Sequence, residues 1–131
     1  MYSAEKIKEL NEFAKQIRIQ TMNQFAARGF GHLGGSMSIV EILAVLYGEE
    51  MKYDPQNPKS EDRDWLVCSK GHAGPAVYSA LALKGFFPLD WLKTLNQPHT
   101  NLPSHCDRTK TPGIDITTGS LGQGLSVAVG V

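Results

Sequence analysis

An α/β fold is predicted by three observations. Residues 65–69, Trp-Leu-Val-Cys-Ser, form a short apolar run that passes at once into Gly71-His72-Ala73-Gly74 and then an apolar helical stretch, the order of a βα unit. Residues 117–124 space Gly119, Gly122 and Gly124 ahead of a second small-residue helix, where backbone can approach a ligand and a helix start offers N–H groups to an anion. A plain turn is the competing reading of the same glycines. Residues 4–27 carry one apolar stripe at helical spacing, as a helix covering a sheet or core would. The length, 131 residues, suits one domain and leaves no room for a second.

In that first helix Ile7, Leu10, Ala14, Ile17, Thr21 and Phe25 recur at intervals of three and four, with Ser3 placed as N-cap and Gly29 and Gly31 as the stop. A second helix is expected over residues 39–46, opened by a capping box between Ser38 and Glu41 and so apolar that burial on most sides is expected. Residues 53–64 are polar and proline-bearing, a surface connection into the 65–69 strand. Pro75 suits the first turn of the next helix, which Gly85 stops. Pro88 and Asp90 open a short helix through Leu95, and residues 97–117, with prolines at 98, 103 and 112, read as a long loop. Ser120 and Gln123 have capping-box spacing before Leu125, Val127 and Val129, an apolar helix with no stop signal. The sequence is therefore expected to be truncated inside an element at Val131. Residues 1–131 would be the N-terminal part of a domain whose exposed valines, each worth roughly 1.5–3 kcal/mol when buried, lack their cover.

Thirteen basic and thirteen acidic residues balance, so composition directs the chain toward neither nucleic acid nor an anionic membrane. No apolar run reaches membrane-spanning length and the first ten residues resemble neither a signal nor a transit peptide, so a cytoplasmic location is expected. Cys68 and Cys106 form no CxxC pattern and are expected as free thiols, Cys68 packing within its strand.

Chemistry concentrates on histidine. His32 and His72 each follow a glycine, and His105 and His99 share the long loop. Imidazoles in such places can donate to a sugar hydroxyl or phosphate and move protons near neutral pH, although each taken singly reads equally well as structural. His72 follows the carboxyl end of the expected strand, where ligands of open α/β sheets gather, and is the strongest candidate. His99, His105, Cys106 and Asp107 match no metal-ligand spacing, so no metal site is assigned to this chain. Arg28, Arg63, Arg108, Lys70 and Lys110 could grip phosphate, but spacing alone assigns none of them.

Three motifs taken in order resemble the transketolases: Gly31-His32-Leu33-Gly34-Gly35-Ser36-Met37-Ser38, residues 62–73 with Ser69-Lys70-Gly71-His72-Ala73, and residues 111–124 ending in Thr118-Gly119-Ser120-Leu121-Gly122-Gln123-Gly124. The resemblance covers nearly the whole chain and is strongest to the N-terminal subunit of transketolases divided into two polypeptides. It implies an α/β thiamine-diphosphate-binding fold, a parallel sheet with flanking helices, that works with Mg2+ or Ca2+ at an interface with a pyrimidine-binding domain carried by a C-terminal partner, in a dimeric assembly. It further implies His32, His72 and His105 as catalytic residues, His32 and His105 on the donor sugar, and His72, Gly119, Ser120 and Leu121 on the cofactor. The implied reaction moves a two-carbon ketol unit from a ketose phosphate to an aldose phosphate, as in the pentose phosphate pathway. The family's metal-binding Gly-Asp-Gly segment and its catalytic glutamate are absent from this sequence. The chain alone is therefore expected to be inactive and to bind the cofactor weakly. A 1-deoxyxylulose-5-phosphate synthase-like thiamine enzyme and a non-catalytic interaction fragment are the alternatives.

Overall fold

The computed structural model describes residues 2–131. Helix α1 (Ala4–Arg28) begins where expected: the Ser3 hydroxyl accepts from the Lys6 N–H at 3.1 Å, and Gly29, at φ 87°, closes the far end. Its inner stripe is Leu10, Ala14, Ile17, Thr21, Gln24 and Phe25. Ile7, included in the stripe from its spacing, lies one turn beyond the packed region and is 49% exposed.

Helix α1 packs on α3 (Val40–Val45) and α4 (Gly74–Leu83) and on a 3-10 turn, Leu89–Thr94. Helix α4 is the centre of the molecule. Every residue from Gly74 to Ala82 is buried, which its sequence permits because Ala, Val, Leu and Tyr occur on all its faces. Its one buried polar side chain, Ser79, is answered by α1. Gln24 Nε2 donates to the Pro75 carbonyl and to Ser79 Oγ, both at 2.8 Å, and the Thr21 and Ser79 hydroxyls meet at 3.0 Å. Such a network fixes the register of two otherwise apolar helices, although Gln24 Oε1 is buried without a partner. The Tyr78 hydroxyl donates to the Pro103 carbonyl and so ties the long loop to the same helix.

Several expectations give way here. The segment after α1 forms a separate short helix, α2 (Leu33–Met37), and α3 begins only at Val40 and ends in a π turn, Leu46–Glu50. No capping box joins Ser38 to Glu41, because the Ser38 hydroxyl donates to the Gly35 carbonyl and accepts from Lys70, while the Glu41 carboxylate pairs with Arg18. Helix α3 is buried on one side only: Val40, Leu43 and Ala44 face α1 and α4, whereas Ile42 is 59% exposed. The short helix expected after Pro88 is the 3-10 turn. Ser120 and Gln123 form no capping box either, since α5 (Gln123–Val129) starts from Gly122 at φ 86°. Its Leu125, Val127 and Val129 are exposed. Among the described residues there is no β-ladder, and segment 65–69 lies partly exposed without a strand beside it. A strand is completed by its neighbours, and none of the described residues supplies one.

Candidate functional site

Three segments meet at the amino end of α4. The first, residues 29–38, carries His32 immediately before α2. The second runs from segment 65–69 through a 3-10 turn, Gly71–Ala73, and carries His72. The third, residues 104–119, carries His105. The three imidazoles converge: ring centroids are 5.3 Å apart for His32 and His72, 5.3 Å for His32 and His105, and 6.5 Å for His72 and His105, all edge-to-face. His99 is exposed, at φ 61°, and belongs to no such pair.

Glycine shapes this cluster by close approach. A Cβ on Gly35 would stand 2.5 Å from His72 Cδ2, so only a bare backbone lets α2 pass beside that ring. The Lys70 ammonium donates to the Gly35 carbonyl at 2.8 Å and to Ser38 Oγ at 2.6 Å, binding the first two segments together. The third is held by Thr118, whose N–H donates to the Cys106 carbonyl at 3.1 Å and whose hydroxyl donates to the Cys68 carbonyl at 2.6 Å. In the sequence Lys70 stands out only as a possible phosphate cation, and Thr118 has no role of its own. Lys70 reaches back more than thirty residues, Thr118 reaches back fifty to Cys68, and the only local signal of either is its place inside a motif.

Of the expected cofactor residues, Gly119 lies next to His105, whose Cδ2 would be 3.9 Å from a Cβ there. Ser120 is exposed, and Leu121 turns toward an apolar cavity of about 370 Å³ shared with Ile39, Ile42 and Leu66. Among the described residues the backbone N–H groups of 119–122 donate to no protein acceptor. The Ser69 hydroxyl, nearby and buried, also has no partner. No group of His, Cys, Asp and Glu among the described residues gathers as a metal centre would. Of the five cations considered for phosphate, Arg63 is committed to Asp115 and Lys70 to the first segment, while the guanidinium of Arg28 lies over the Phe30 ring.

Desolvation, then the positive potentials of His32, Lys70 and His105, holds the His72 imidazole below the ordinary histidine value of 6.5. The neutral ring is thus the favoured form, able to accept a proton or a hydrogen bond at one nitrogen while donating from the other. Since the unfolded chain protonates His72 first, its contribution to stability is present above pH 6.5 and is lost as pH falls below that value. In an NMR titration the His72 ring should titrate below 6.5, and Lys70→Met should move its midpoint upward. A midpoint at or above the ordinary value in the native chain would contradict this electrostatic description.

What the arrangement offers is a set of proton-transferring donors and acceptors beside a turn whose N–H groups find no protein acceptor among the described residues. Comparison with known proteins shows the family and the fold. The family described as transketolase, thiamine diphosphate binding domain, matches residues 10–131. A 6-deoxy-6-sulfo-D-fructose transketolase subunit, SqwG, from a Clostridium species is 58% identical over 123 residues, which are 94% of this chain and 45% of that subunit. One subunit of an apulose-4-phosphate transketolase from Actinobacillus succinogenes is 42% identical, with the same coverage of both chains. Transketolase from Leishmania mexicana superimposes with a TM-score of 0.88 at 38% identity, covering 92% of this chain and 18% of that enzyme. The chain therefore spans under half the length of these relatives. The likeness carries the fold class expected from the sequence, although segment 65–69 pairs with no described strand. With the motif match running through all three histidine-bearing segments, the chain belongs to the transketolase thiamine-diphosphate-binding domain family.

Proposed function

We propose that residues 1–131 act as the N-terminal part of a diphosphate-binding domain, in an assembly that transfers a two-carbon ketol unit between sugars with thiamine diphosphate. The observation that carries this reading is the convergence of His32, His72 and His105 within 6.5 Å of one another, beside Gly119. The residues present suit the cofactor: a diphosphate needs hydrogen-bond donors, and the unpaired N–H groups of 119–122 and the partnerless Ser69 hydroxyl are donors without acceptors. Thiamine diphosphate, when bound, would supply the carbanion stabilisation that the side chains of this chain cannot. His72, Gly119, Ser120 and Leu121 would hold it, Leu121 through its apolar side chain. His32 and His105 would bind and orient the donor sugar's hydroxyls, and the neutral His72 would carry a proton to or from the reacting oxygen. The Ser104 hydroxyl lies 3.1 Å from His105 Nδ1 and would fix that ring's orientation.

The metal, Mg2+ or Ca2+, would be held by residues outside this chain, and a C-terminal subunit with the pyrimidine-binding domain would complete the site in a dimeric, cytoplasmic assembly. The exposed Leu125 and Val129 of α5 suit a face covered by further parts of the domain. A ketose phosphate donor and an aldose phosphate acceptor, as in the pentose phosphate pathway, would be the substrates. A second donor is favoured by the 58% identity to a 6-deoxy-6-sulfo-D-fructose transketolase subunit: a ketose whose terminal anion is a sulfonate.

Isothermal titration of thiamine diphosphate with Mg2+ tests the reading, on this chain alone and with the remaining domain and its partner. Tight binding and ketol transfer are expected only in the complete mixture. There His105→Ala should lower the transfer rate by about 100-fold, within the usual range for a lost proton-handling or positioning group. Parallel assays with xylulose 5-phosphate and 6-deoxy-6-sulfo-D-fructose separate the two donors. A complete mixture that neither binds the cofactor nor transfers a ketol unit would leave an interaction fragment as the better description.

A further inference from the structure

The two cysteines stand 38 positions apart in sequence, yet one residue clasps both. Thr118 donates its hydroxyl to the Cys68 carbonyl at 2.6 Å and its N–H to the Cys106 carbonyl at 3.1 Å. A third bond, from the Cys106 N–H to the Gly71 carbonyl at 3.2 Å, lays segment 105–106 along segment 68–71. Both thiols so placed are free, and the Cys68 thiol donates to the Lys70 carbonyl at 3.5 Å. They also differ in character. Cys68 is only partly buried and opens on the apolar cavity beside Leu66, where a small uncharged molecule can enter. Cys106 is 2% exposed behind it. The neighbouring Cys106 side chain, helped by the Lys70 backbone and charge, brings the Cys68 thiol down to about 7, whereas the same pairing and then burial push Cys106 well above its ordinary value. An accessible thiolate with a protected thiol at its side is the arrangement of an attacking and a resolving cysteine.

We propose that Cys68 and Cys106 form a reversible intramolecular disulfide, closed by a peroxide and reopened by a small dithiol, which clamps the His105 loop onto the His72 segment. In the first step the Cys68 thiolate attacks one peroxide oxygen. The O–O bond breaks, hydroxide leaves and is protonated to water, and Cys68 becomes a sulfenic acid. In the second step the Cys106 sulfur attacks the Cys68 sulfur, the S–O bond breaks, and the departing hydroxide takes the Cys106 proton as a second water. Two thiols and one hydrogen peroxide thus give one disulfide and two waters: the sulfur pair loses two electrons and the peroxide gains them. The bridge would join the residue next to His105 to a segment ending at His72, so the oxidation state of the pair is read out at the histidine cluster. The proposal concerns this chain's own thiols and stands whether or not the ketol-transfer reading holds.

The test is stoichiometric hydrogen peroxide on the folded chain, followed by alkylation with N-ethylmaleimide without reductant and by intact-mass and peptide analysis. The expected product has lost two hydrogens, takes no maleimide, carries a cross-link between the peptides of Cys68 and Cys106, and regains both alkylation sites after dithiothreitol. Closure should be at least about tenfold faster in the folded chain than in urea, because the fold supplies the proximity. Cys106→Ser should leave one or more oxygens on Cys68, and Cys68→Ser should leave Cys106 alkylatable only after unfolding. The proposal fails if both wild-type thiols remain alkylatable, if Cys68 proceeds to sulfinic acid without a bridge, if the bridge joins two chains, or if urea does not slow closure.

Discussion

Gly71→Ala should destabilise the chain by about 3 kcal/mol, a drop in Tm of roughly 10 °C. A Cβ there would stand 2.1 Å from the Thr118 carbonyl oxygen and 2.6 Å from its carbon, and both obstacles are backbone. Neither can rotate away. Relief requires segments 68–71 and 105–118 to part, with loss of the bonds from Thr118 to Cys68 and Cys106 and from Cys106 to Gly71. Gly35→Ala is the informative contrast. Its Cβ would also collide, at 2.5 Å, but with the His72 ring, a side chain that can swing aside. That variant should keep most of its stability, while the His72 ring leaves its 5.3 Å contact with His32 and its titration shifts toward the ordinary value. A circular-dichroism melt of both variants, with an NMR titration of the second, separates the roles. A wild-type melting curve for Gly71→Ala would contradict the close approach of the two segments.

The contrast between these glycines also shows which parts of the molecule are legible in sequence. Ser3 and Gly29 are, because a cap acts within one helical turn, and the helix it bounds announces itself by period. Ser38–Glu41 and Ser120–Gln123 carry the same local signal, yet neither forms the capping box. In the first the serine hydroxyl is engaged by Lys70, thirty-two residues away, and in the second Gly122 takes the cap position at φ 86°. Segment 65–69 departs from expectation differently, because composition can mark a run as strand-like but cannot provide the neighbour that makes a ladder. His32, His72 and His105 are legible as candidates through their motifs, and Gly119 through its turn. That the three rings meet is not, since their segments are brought together by Lys70, Thr118 and the bare backbones of Gly35 and Gly71. The nearness of Cys68 and Cys106 is hidden for the same reason: spacing rules search for near neighbours, and these two residues are brought together through Thr118.

Asp115→Ala should cost about 3–5 kcal/mol, the range for stranding one partner of a buried ion pair. Asp115 is 8% exposed, and its two oxygens serve three donors. Oδ1 accepts from Arg63 Nε at 3.0 Å and Nη2 at 2.7 Å, and Oδ2 accepts from the Leu66 N–H at 2.9 Å. The Arg63 side chain is 12% exposed, donates from Nη1 to the Ser60 carbonyl at 2.7 Å and lies over the Trp65 ring. Removing the carboxylate therefore leaves a guanidinium with its charge unanswered and a backbone N–H without an acceptor. The loss should reach the histidines. Leu66 leads into Cys68 and Lys70, Asp115 leads into Thr118, and this ion pair is the upstream tie between the stretches of chain that Thr118 clasps further on. The double variant Arg63→Met with Asp115→Ala distinguishes a stranded charge from lost packing. If the unanswered guanidinium dominates, the double variant should be more stable than Asp115→Ala alone by about 1–2 kcal/mol in urea titration, because the charge is removed with its partner. Strictly additive losses would instead mean that Arg63 and Asp115 hold the segments through separate contacts.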